Sequence, residues 1–394
     1  MLRLQAYRNF SKQIRRFVQP AASYEEFNDI KSENLEIHHT KYPKEKPDPE
    51  NLPFAKIMSD HMLVIEWFKG YGWSSPIIKT HEPLMLHPGA GALQYGSQIY
   101  EGMKAYHGVD GQIRMFRPEC NMDRFWKSAH RMALPTFNQK ELLQCIHALV
   151  NLERDWVPRQ EGKSLYIRPT LIGLDPASDI NDIKRALLFV ITSPSGPYFP
   201  GGKMRPVSLL ANPQHVRSWY GGIGEVKAGG NYGPTLYLQR EAMSKDCDQV
   251  LWLYEDQVTE AGGMNIFVHW INDNGDEELL TAPLNSLILP GITRQSCIEI
   301  AKEWGNVLVT EKEFTIQEVV KASHQNRIKH IFACGTAAVI CPVNRLVYEP
   351  LDGSKEELTI PYDMTDDSLM MKLYNELFSI QFGKKPHPWV YNVN

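Results

Sequence analysis

Residues 194–206 have the sequence PSGPYFPGGKMRP, with four prolines and three glycines in thirteen positions. Neither a regular helix nor an inner strand tolerates that composition. Apolar, strand-like runs border it, ALLFVIT at residues 186–192 and VSLLA at residues 207–211. We therefore expect a loop over residues 195–206 that separates a smaller N-terminal domain, residues 25–194, from a larger C-terminal domain, residues 207–394.

Helical and strand-like patterns are mixed in both expected domains. Strands are predicted where apolar residues run together, at residues 60–65, 249–254 and 265–271. Helices are predicted where apolar residues recur at helical spacing, at residues 140–157, 293–304 and 316–323. This mixture predicts an α/β or α+β fold and leaves the strand order open.

The composition excludes several classes of protein. Against 46 acidic residues the chain has 42 Lys and Arg, and the resulting formal charge of −4 gives no basic field for nucleic acid. No apolar run approaches the roughly 20 residues that a membrane span needs. The 41 aromatic residues (15 Phe, 17 Tyr and 9 Trp) exclude a disordered chain. Small molecules are therefore the expected ligands.

The first 24 residues differ in charge from the rest of the chain. They contain five basic residues and no acidic one, with apolar residues between the bases. A helix here would be apolar on one side and basic on the other, which is typical of a mitochondrial transit peptide. The alternative is a solvated arm without a targeting signal, which would leave the protein cytoplasmic. Without these residues the formal charge is 37 − 46 = −9.

A glycine-rich segment, residues 221–234, has the sequence GGIGEVKAGGNYGP. Glycine is used where the backbone needs a positive φ or approaches a ligand closely. The segment fits neither a P-loop nor a Rossmann loop, because Lys227 stands at the wrong position for both. A lysine held in such a loop can form a Schiff base with a carbonyl group. The alternative is a surface loop with one solvated lysine.

Three other segments carry weaker indications. Glu260 precedes two glycines, where its carboxylate could bond a ligand nitrogen or simply flank a hairpin turn. Gly335 and Thr336 could form an anion-binding nest of backbone N–H groups. Arg124 suits a phosphate through paired hydrogen bonds, although an exposed helix face explains its position equally well.

The histidines and cysteines indicate neither a metal site nor a disulfide framework. The sequence has no H-E-x-x-H, no C-x-x-C and no G-x-S-x-G motif. We therefore expect no metal, and six reduced thiols.

Taken in order, several strings resemble the branched-chain amino acid aminotransferases, pyridoxal 5′-phosphate (PLP) enzymes of fold type IV. The resemblance runs from about residue 54 to about residue 344 and is greatest to animal mitochondrial and cytosolic forms. It implies two mixed α/β domains with the cofactor at their interface. The strings are YGSQIYEGMKA at residues 95–105, LYIRP at 165–169, YFPGG at 198–202, KAGGNYGP at 227–234, LILPGITRQ at 287–295 and GTA at 335–337.

The resemblance implies a role for each candidate cofactor residue. Lys227 would hold PLP as a Schiff base and carry the transferred proton. Glu260 would pair with the ring nitrogen, and Tyr232 would bond the phenolic oxygen. The phosphate would be held by Arg124, the backbone N–H groups of Ile292 and Thr293, and Thr336.

The resemblance also implies the substrates and the assembly. A homodimer would transfer the amino group of L-leucine, L-isoleucine or L-valine to 2-oxoglutarate. Arg168 would stabilise the distal carboxylate of glutamate, and the α-carboxylate would lie at Thr336 and Ala337. The apolar walls would be formed by Phe54, Tyr100, Tyr166 and Tyr198, with Tyr95 of the partner subunit.

Three positions depart from the family pattern. Gly263 stands where relatives usually have a threonine beside the cofactor, so a hydroxyl contact is missing. Ala338 replaces the first cysteine of a C-x-x-C pair of which Cys341 remains, so we expect no thiol–disulfide switch. Ser178 replaces a usual leucine in a loop that would cover the pocket of the partner subunit.

Other functions on the same scaffold remain open at this point. A D-amino-acid aminotransferase or an aminodeoxychorismate lyase would share the fold, but the aromatic wall and the YIRP string argue against both. A non-catalytic binding protein would not need Lys227, Glu260 and Tyr232 together.

Overall fold

The computed structural model describes residues 28–176, 182–199 and 202–393, and its strands form two large sheets. In chain order the strands are β1 (Glu36–Ile37), β2 (His61–Phe68), β3 (Gly72–Trp73), β4 (Ile77–Thr80), β5 (Gln98–Tyr100), β6 (Met103–His107), β7 (Ile113–Phe116), β8 (Ser164–Gly173), β9 (Arg185–Ser195), β10 (Val207–Ala211), β11 (Gln249–Tyr254), β12 (Gln257–Ala261), β13 (Met264–Ile271), β14 (Glu277–Thr281), β15 (Leu308–Glu311), β16 (Ile328–Gly335), β17 (Val339–Tyr348), β18 (Glu356–Thr359) and β19 (Val390–Val393). The α-helices are α1 (Gly91–Tyr95), α2 (Pro118–Arg131), α3 (Gln139–Leu152), α4 (Thr235–Ser244), α5 (Ile292–Trp304), α6 (Ile316–His324) and α7 (Leu369–Gln381).

The first sheet has the strand order β1-β4-β2-β9-β8-β6-β7-β19, and β3 and β5 pair with β2 and β8. Its central strands β8 and β9 are apolar and buried along most of their length, as expected for inner strands. Helices α2 and α3 cover one face, where Phe125 and Ile146 pack into the same core as Leu63 and Ile167. The mixed α/β expectation is confirmed.

The second sheet closes on itself. Strands β10, β11, β12, β13, β16 and β17 form a ring in which each is hydrogen-bonded to two neighbours. Alternation along β16 sends Ile331 and Ala333 to the inside of the ring, while Phe332 and Cys334 pack outside against α5 and α7. Closure leaves no open edge among these six strands, so the ring is a rigid support for the loops at its ends.

The predicted elements are present with shifted ends. The strand at residues 249–254 and the helices that begin near residues 293 and 316 agree within a residue with β11, α5 and α6. The helix predicted over residues 140–157 is shorter, because α3 ends at Leu152 and a separate 3₁₀ turn follows. The cause is Glu153, whose buried carboxylate accepts from the Asp60 backbone N–H at 3.0 Å and contacts His61.

The expected domain limits differ from the structure at two places. Pro194 and Ser195 belong to β9, beyond the end of β2, where the strand has a neighbour on one side only and proline is tolerated. At the other end of the chain, β19 pairs with β7 of the first sheet, although the sequence assigns residues 390–393 to the second domain. Pairing covers the edge of β7 and buries Val393.

Several expectations fall outside the described residues. The expected transit peptide, residues 1–24, lies there, as do Ser178 and two residues of the predicted loop, Pro200 and Gly201. No helix within the described ranges is long and apolar enough to cross a membrane.

Two buried histidines make the stability of the second sheet depend on pH. His269 on β13 and His330 on β16 lie opposite each other with ring centroids 5.4 Å apart. Burial lowers the pKa of both rings, and burial together with the neighbouring His269 ring lowers the pKa of His330 to about 4. The unfolded chain binds these protons near pH 6.5 and the folded chain does not, so stability is lost as the pH falls from about 6.5 towards 4.

We expect the midpoint of thermal unfolding to fall between pH 6.5 and pH 4.5, and to fall less in H330N than in the wild type. At pH 7 the variant has the lower midpoint, because the ring contact is lost. Circular dichroism at each pH measures both quantities. H38N is the control, since the His38 side chain is 61% exposed and its replacement leaves the decline unchanged. Equal declines in H330N and the wild type would contradict the assignment.

Candidate active site

The backbone before and after Lys227 is fixed by side-chain hydrogen bonds. The Asn231 amide donates to the carbonyls of Ile223 at 2.6 Å and Val226 at 2.9 Å, which ties the glycine-rich segment to the 3₁₀ turn Gly229–Asn231. The Lys227 backbone N–H donates to Ser128 Oγ at 3.1 Å. Lys227 is half-buried, so the alternative of a solvated surface lysine does not fit.

The Lys227 ammonium group lies beside two aromatic rings that contact each other, with centroids 5.1 Å apart. Nζ is 3.3 Å from Tyr232 Oη, 4.8 Å from the centre of the Tyr100 ring and 5.1 Å from that of Tyr232. The Tyr100 backbone N–H donates to the Lys227 carbonyl at 3.0 Å, so strand β5 of the first sheet is bonded directly to this loop. Among the described residues no carboxylate lies within ion-pair distance of Lys227 Nζ, which leaves the amine available to a ligand.

Glu260 is a buried carboxylate at the end of β12. It forms an ion pair with Arg217, and its Oε1 accepts from the Leu289 backbone N–H at 2.9 Å and from Asn265 Nδ2 at 3.1 Å. Burial raises the pKa of Glu260 above its usual value, while Arg217, Lys227 and Arg124 oppose the increase.

Arg217 was not among the residues selected from the sequence. It is 8% exposed and also donates to the Leu287 carbonyl at 3.2 Å. It stands ten residues before Lys227 in a stretch without a recognisable motif, so no signal in the sequence connected it with Glu260.

Hydrogen-bond donors come together where Arg124 meets the first turn of α5. Arg124 Nη1 donates to the Pro290 carbonyl at 3.1 Å, and the residue before the helix, Gly291, provides no capping side chain for the first N–H groups. A Cβ at Gly291 would lie 1.9 Å from Asn265 Oδ1, so only glycine fits. Ile292 and Thr293 are the first two helical residues, and backbone N–H groups at that position favour a phosphate. The exposed-face alternative does not apply, since Arg124 is 7% exposed.

Four of the predicted substrate residues form one continuous wall. The Arg168 guanidinium lies 4.6 Å from the Tyr100 ring centre, and its Nη2 donates to Tyr166 Oη at 2.8 Å. The ring of Phe54 is 5.1 Å from that of Tyr166, so the wall extends from Lys227 to Phe54. Arg168 Nε is buried without a hydrogen-bond acceptor, and no acid pairs with this arginine within the described residues.

The two remaining aromatic candidates, Tyr198 and Tyr95, are more exposed than the residues of this wall. Tyr198 is 37% exposed and lines a cavity of about 460 Å³ together with Ala337 and Lys104. Tyr95, the last residue of α1, is 44% exposed. Neither belongs to the wall around Lys227 within one chain.

Thr336 and Ala337 lie in the turn between β16 and β17. Gly335 and Val339 pair across this turn, and Val339 has a φ of 62°, which is unfavourable for a β-branched residue. Strain of this kind is found where a particular backbone geometry is needed for function. Lys104, which sequence reasoning passed over within the string YGSQIYEGMKA, donates from Nζ to the Ala337 carbonyl at 2.9 Å.

Two of the departures from the family pattern can be located. A Cβ at Gly263 would meet no atom within 4 Å, so the space of a larger side chain is open. Ala338 is buried, and all six cysteines are free. Burial raises the pKa of the Cys341 thiol to about 12, which keeps it protonated and unreactive at neutral pH.

Comparison with known proteins identifies the family of this chain. Residues 98–346 match the family Amino-transferase class IV. A cytosolic branched-chain-amino-acid aminotransferase of Ovis aries is 46% identical over 373 residues, 94% of this chain and 96% of that protein. A mitochondrial one of Mus musculus is 46% identical over 367 residues, 92% of each chain.

Solved structures agree as well. The branched-chain aminotransferase of Thermoproteus uzoniensis with norvaline has a TM-score of 0.66 and 25% identity, covering 84% of this chain and 99% of that one. A second branched-chain amino acid aminotransferase, solved with pyridoxamine 5′-phosphate, has a TM-score of 0.63 and 25% identity, covering 84% and 98%. The chain therefore belongs to the class IV aminotransferases and, within them, to the branched-chain-amino-acid aminotransferase family.

Proposed function

We propose that this protein is a PLP-dependent transaminase that moves the amino group of L-leucine, L-isoleucine or L-valine to 2-oxoglutarate. The observation that carries the proposal is the position of Lys227 Nζ, half-buried beside the rings of Tyr100 and Tyr232 and 3.3 Å from Tyr232 Oη, with no carboxylate partner among the described residues. The relatives bear the name of this activity, and one related structure contains pyridoxamine 5′-phosphate.

The described residues fit PLP at three points. Lys227 offers an amine for the aldehyde, Glu260 offers a buried carboxylate for the ring nitrogen, and the start of α5 beside Arg124 offers donors for the phosphate. The uncapped first turn of α5 supports this, since its N–H groups need an acceptor. When bound, the cofactor supplies a ring that accepts the electrons of the substrate Cα–H bond. Because Arg124 lies in the N-terminal domain and Lys227, Glu260 and α5 lie in the C-terminal domain, we propose that PLP lies between the two domains.

Lys227 then acts as nucleophile and as proton carrier. Its Nζ has no acidic partner among the described residues, so the amine would hold the cofactor through its carbonyl carbon, with loss of water, and would accept and return the substrate Cα proton once the substrate amine has displaced it. Tyr232 Oη, 3.3 Å away, would orient that amine. Glu260, held by three donors, would stabilise a proton on the cofactor ring nitrogen.

The wall of Phe54, Tyr100 and Tyr166 suits an aliphatic side chain. Full burial of a leucine side chain contributes about 1.5–3 kcal/mol, enough to select it over a small polar one. Glutamate also needs a positive charge within this wall. Arg168 supplies it, since its guanidinium lies against two rings and has an unused buried N–H. One pocket can thus accept both kinds of substrate.

The proposal predicts that the K227A protein loses the yellow absorbance of the bound cofactor and all turnover, because no other residue supplies the amine. In the wild type, L-leucine should abolish that absorbance and D-alanine should leave it. Visible spectra before and after each addition are the measurement. K302A is the matched control, since Lys302 is 55% exposed and should change neither property. Turnover in K227A would refute the role of Lys227, and preference for D-alanine would refute the substrate assignment.

Glu101 is proposed to hold the phosphate ligand Arg124 in place. Its carboxylate is fully buried and accepts from Arg124 Nε at 2.6 Å and from Nη2 at 2.9 Å. Burial alone would raise the pKa of Glu101, but the guanidinium holds it below its usual value. The carboxylate is therefore ionised at neutral pH and keeps the remaining Arg124 donors directed at the start of α5.

We expect E101Q to weaken cofactor binding roughly 10- to 100-fold, because loss of a hydrogen bond to a buried charge costs about 1.5–3 kcal/mol. The dissociation constant of PLP from the apoprotein, measured by fluorescence quenching, tests this. E299Q is the control, because it breaks a similar Arg117–Glu299 pair whose acid is 36% exposed. Unchanged PLP affinity in E101Q would contradict the role.

A homodimer is proposed because a pocket that needs Tyr95 is incomplete in one chain. Apolar side chains on α1 and α4 are exposed, Leu93 by 58%, Leu236 by 60% and Tyr237 by 68%, and exposed apolar surface favours an interface. We propose that α1 of one subunit brings Tyr95 to the pocket of the other.

Mixed dimers test this exchange of Tyr95. In a K227A/Y95A heterodimer, the one lysine-containing site receives Tyr95 from the other chain, so the activity should be half that of the wild type. The two variants are co-expressed with different tags, purified through both, and assayed with L-leucine. If Tyr95 acts within its own chain, the heterodimer shows only half the activity of the Y95A homodimer.

The location of the protein is proposed to be mitochondrial. The support is the basic, acid-free composition of residues 1–24. The relatives include both cytosolic and mitochondrial forms, so family membership is compatible with either.

A further inference from the structure

Lys104 is a buried cation for which the described residues offer no acidic partner. It lies on β6 opposite Tyr166 of β8 and is 9% exposed. Its Nζ donates to the Ala337 carbonyl at 2.9 Å and lies 5.9 Å from the Phe54 ring. An ammonium group has three donors, so two remain for other acceptors. A buried charge without a counter-charge is costly, which indicates that an anion completes its surroundings.

Lys104 contacts the turn between β16 and β17, where the family resemblance places the substrate α-carboxylate. Thr336 and Ala337 lie between the paired residues Gly335 and Val339, and Val339 is held at a positive φ. A strained turn keeps its shape only when its surroundings hold it. The hydrogen bond from Lys104 joins this turn to the first sheet across 233 residues of sequence.

Other ionisable groups near Lys104 leave its charge uncompensated. Across the cavity Lys163 pairs with Glu50, and Glu161 pairs with Lys384. The hydroxyls that face the region are those of Tyr106 on β6, Tyr166 on β8, Tyr198 and, on α7, Tyr374. Burial lowers the pKa of Lys104 to about 8. The ammonium group is therefore charged at pH 7 and loses its charge as the pH rises past about 8.

We propose that Lys104 is a positioning residue for substrate carboxylates. Its ammonium group holds the turn over residues 335–339 so that the backbone N–H groups of Thr336 and Ala337 receive the carboxylate, and it supplies positive charge behind them. This inference rests on the proposed transaminase function and adds a residue to its binding site. The ligand class is the carboxylate common to amino acids and 2-oxo acids.

The test uses the holoenzyme and a carboxylate that cannot react, 4-methylvalerate. Its dissociation constant is measured by the change it causes in cofactor absorbance, from pH 7 to pH 9.5. In the wild type, affinity should fall as the pH rises past about 8, because Lys104 loses its proton. K104M should bind about tenfold more weakly at pH 7, the cost of one charge-assisted contact, and show no further fall.

K104R restores the charge and keeps it at every pH used, because arginine stays protonated. It should bind 4-methylvalerate within about threefold of the wild type at pH 7 and show no loss of affinity at pH 9.5. A residue that only supports the fold would not remove this pH dependence. K163M is the matched control, a buried lysine at the same cavity whose charge is paired, and its binding curve should match the wild type.

Kinetics separate this inference from the proposed function. In K104M the KM values for L-leucine and for 2-oxoglutarate should both rise, with kcat changed less. If the wild type neither binds L-leucine nor turns it over, the proposed function fails. If the wild type is active but K104R shows the same alkaline loss of affinity, or K104M binds 4-methylvalerate as the wild type does, the role of Lys104 is refuted.

Discussion

The hydrogen bond between the Tyr100 backbone N–H and the Lys227 carbonyl joins strand β5 of the first sheet to the glycine-rich segment at the point where the chemistry is proposed. It is a main-chain contact, and a further bridge pairs Ile99 with Ala228 beside it. Lys227 therefore has its backbone held by the first sheet while its loop is braced by Asn231. The amine lies beside the Tyr100 and Tyr232 rings because β5 and Asn231 hold the backbone around Lys227 in place.

Burial of charge is the second constraint. Glu260, Glu101 and Arg124 are each less than a tenth exposed, and each is paired with a group of opposite charge. Such pairs have to form together, since leaving one member alone in the interior is strongly destabilising. Lys104 is buried and Arg168 half-buried, and both lack an acid among the described residues. The proposed ligand groups thus differ: the charges of Arg124 and Glu260 are balanced within the chain, whereas those of Lys104 and Arg168 are not balanced by any described residue.

Site residues could be predicted from the sequence where their contacts are with residues close in the chain. They could not be predicted where the contacts are with residues far apart in the chain. The setting of Lys227 could be predicted because its glycines, Asn231 and Tyr232 lie within a few residues of it. Arg217 and Lys104 could not be selected, because their partners lie 43 and 233 residues away and neither carries a motif of its own. The prediction that the helix continues past Leu152 was wrong for the same reason. The buried Glu153 carboxylate contacts Asp60 and His61, which are distant in sequence. The roles of the individual site residues stay predictions.

Strand β19 lies far along the chain from its sheet partner β7. It is made after every strand of the second sheet, β10 to β18, yet it completes the edge of the first sheet. Until β19 is in place, β7 keeps an unpaired edge that could pair with another chain. The first sheet therefore stays open on one side while the second is being made.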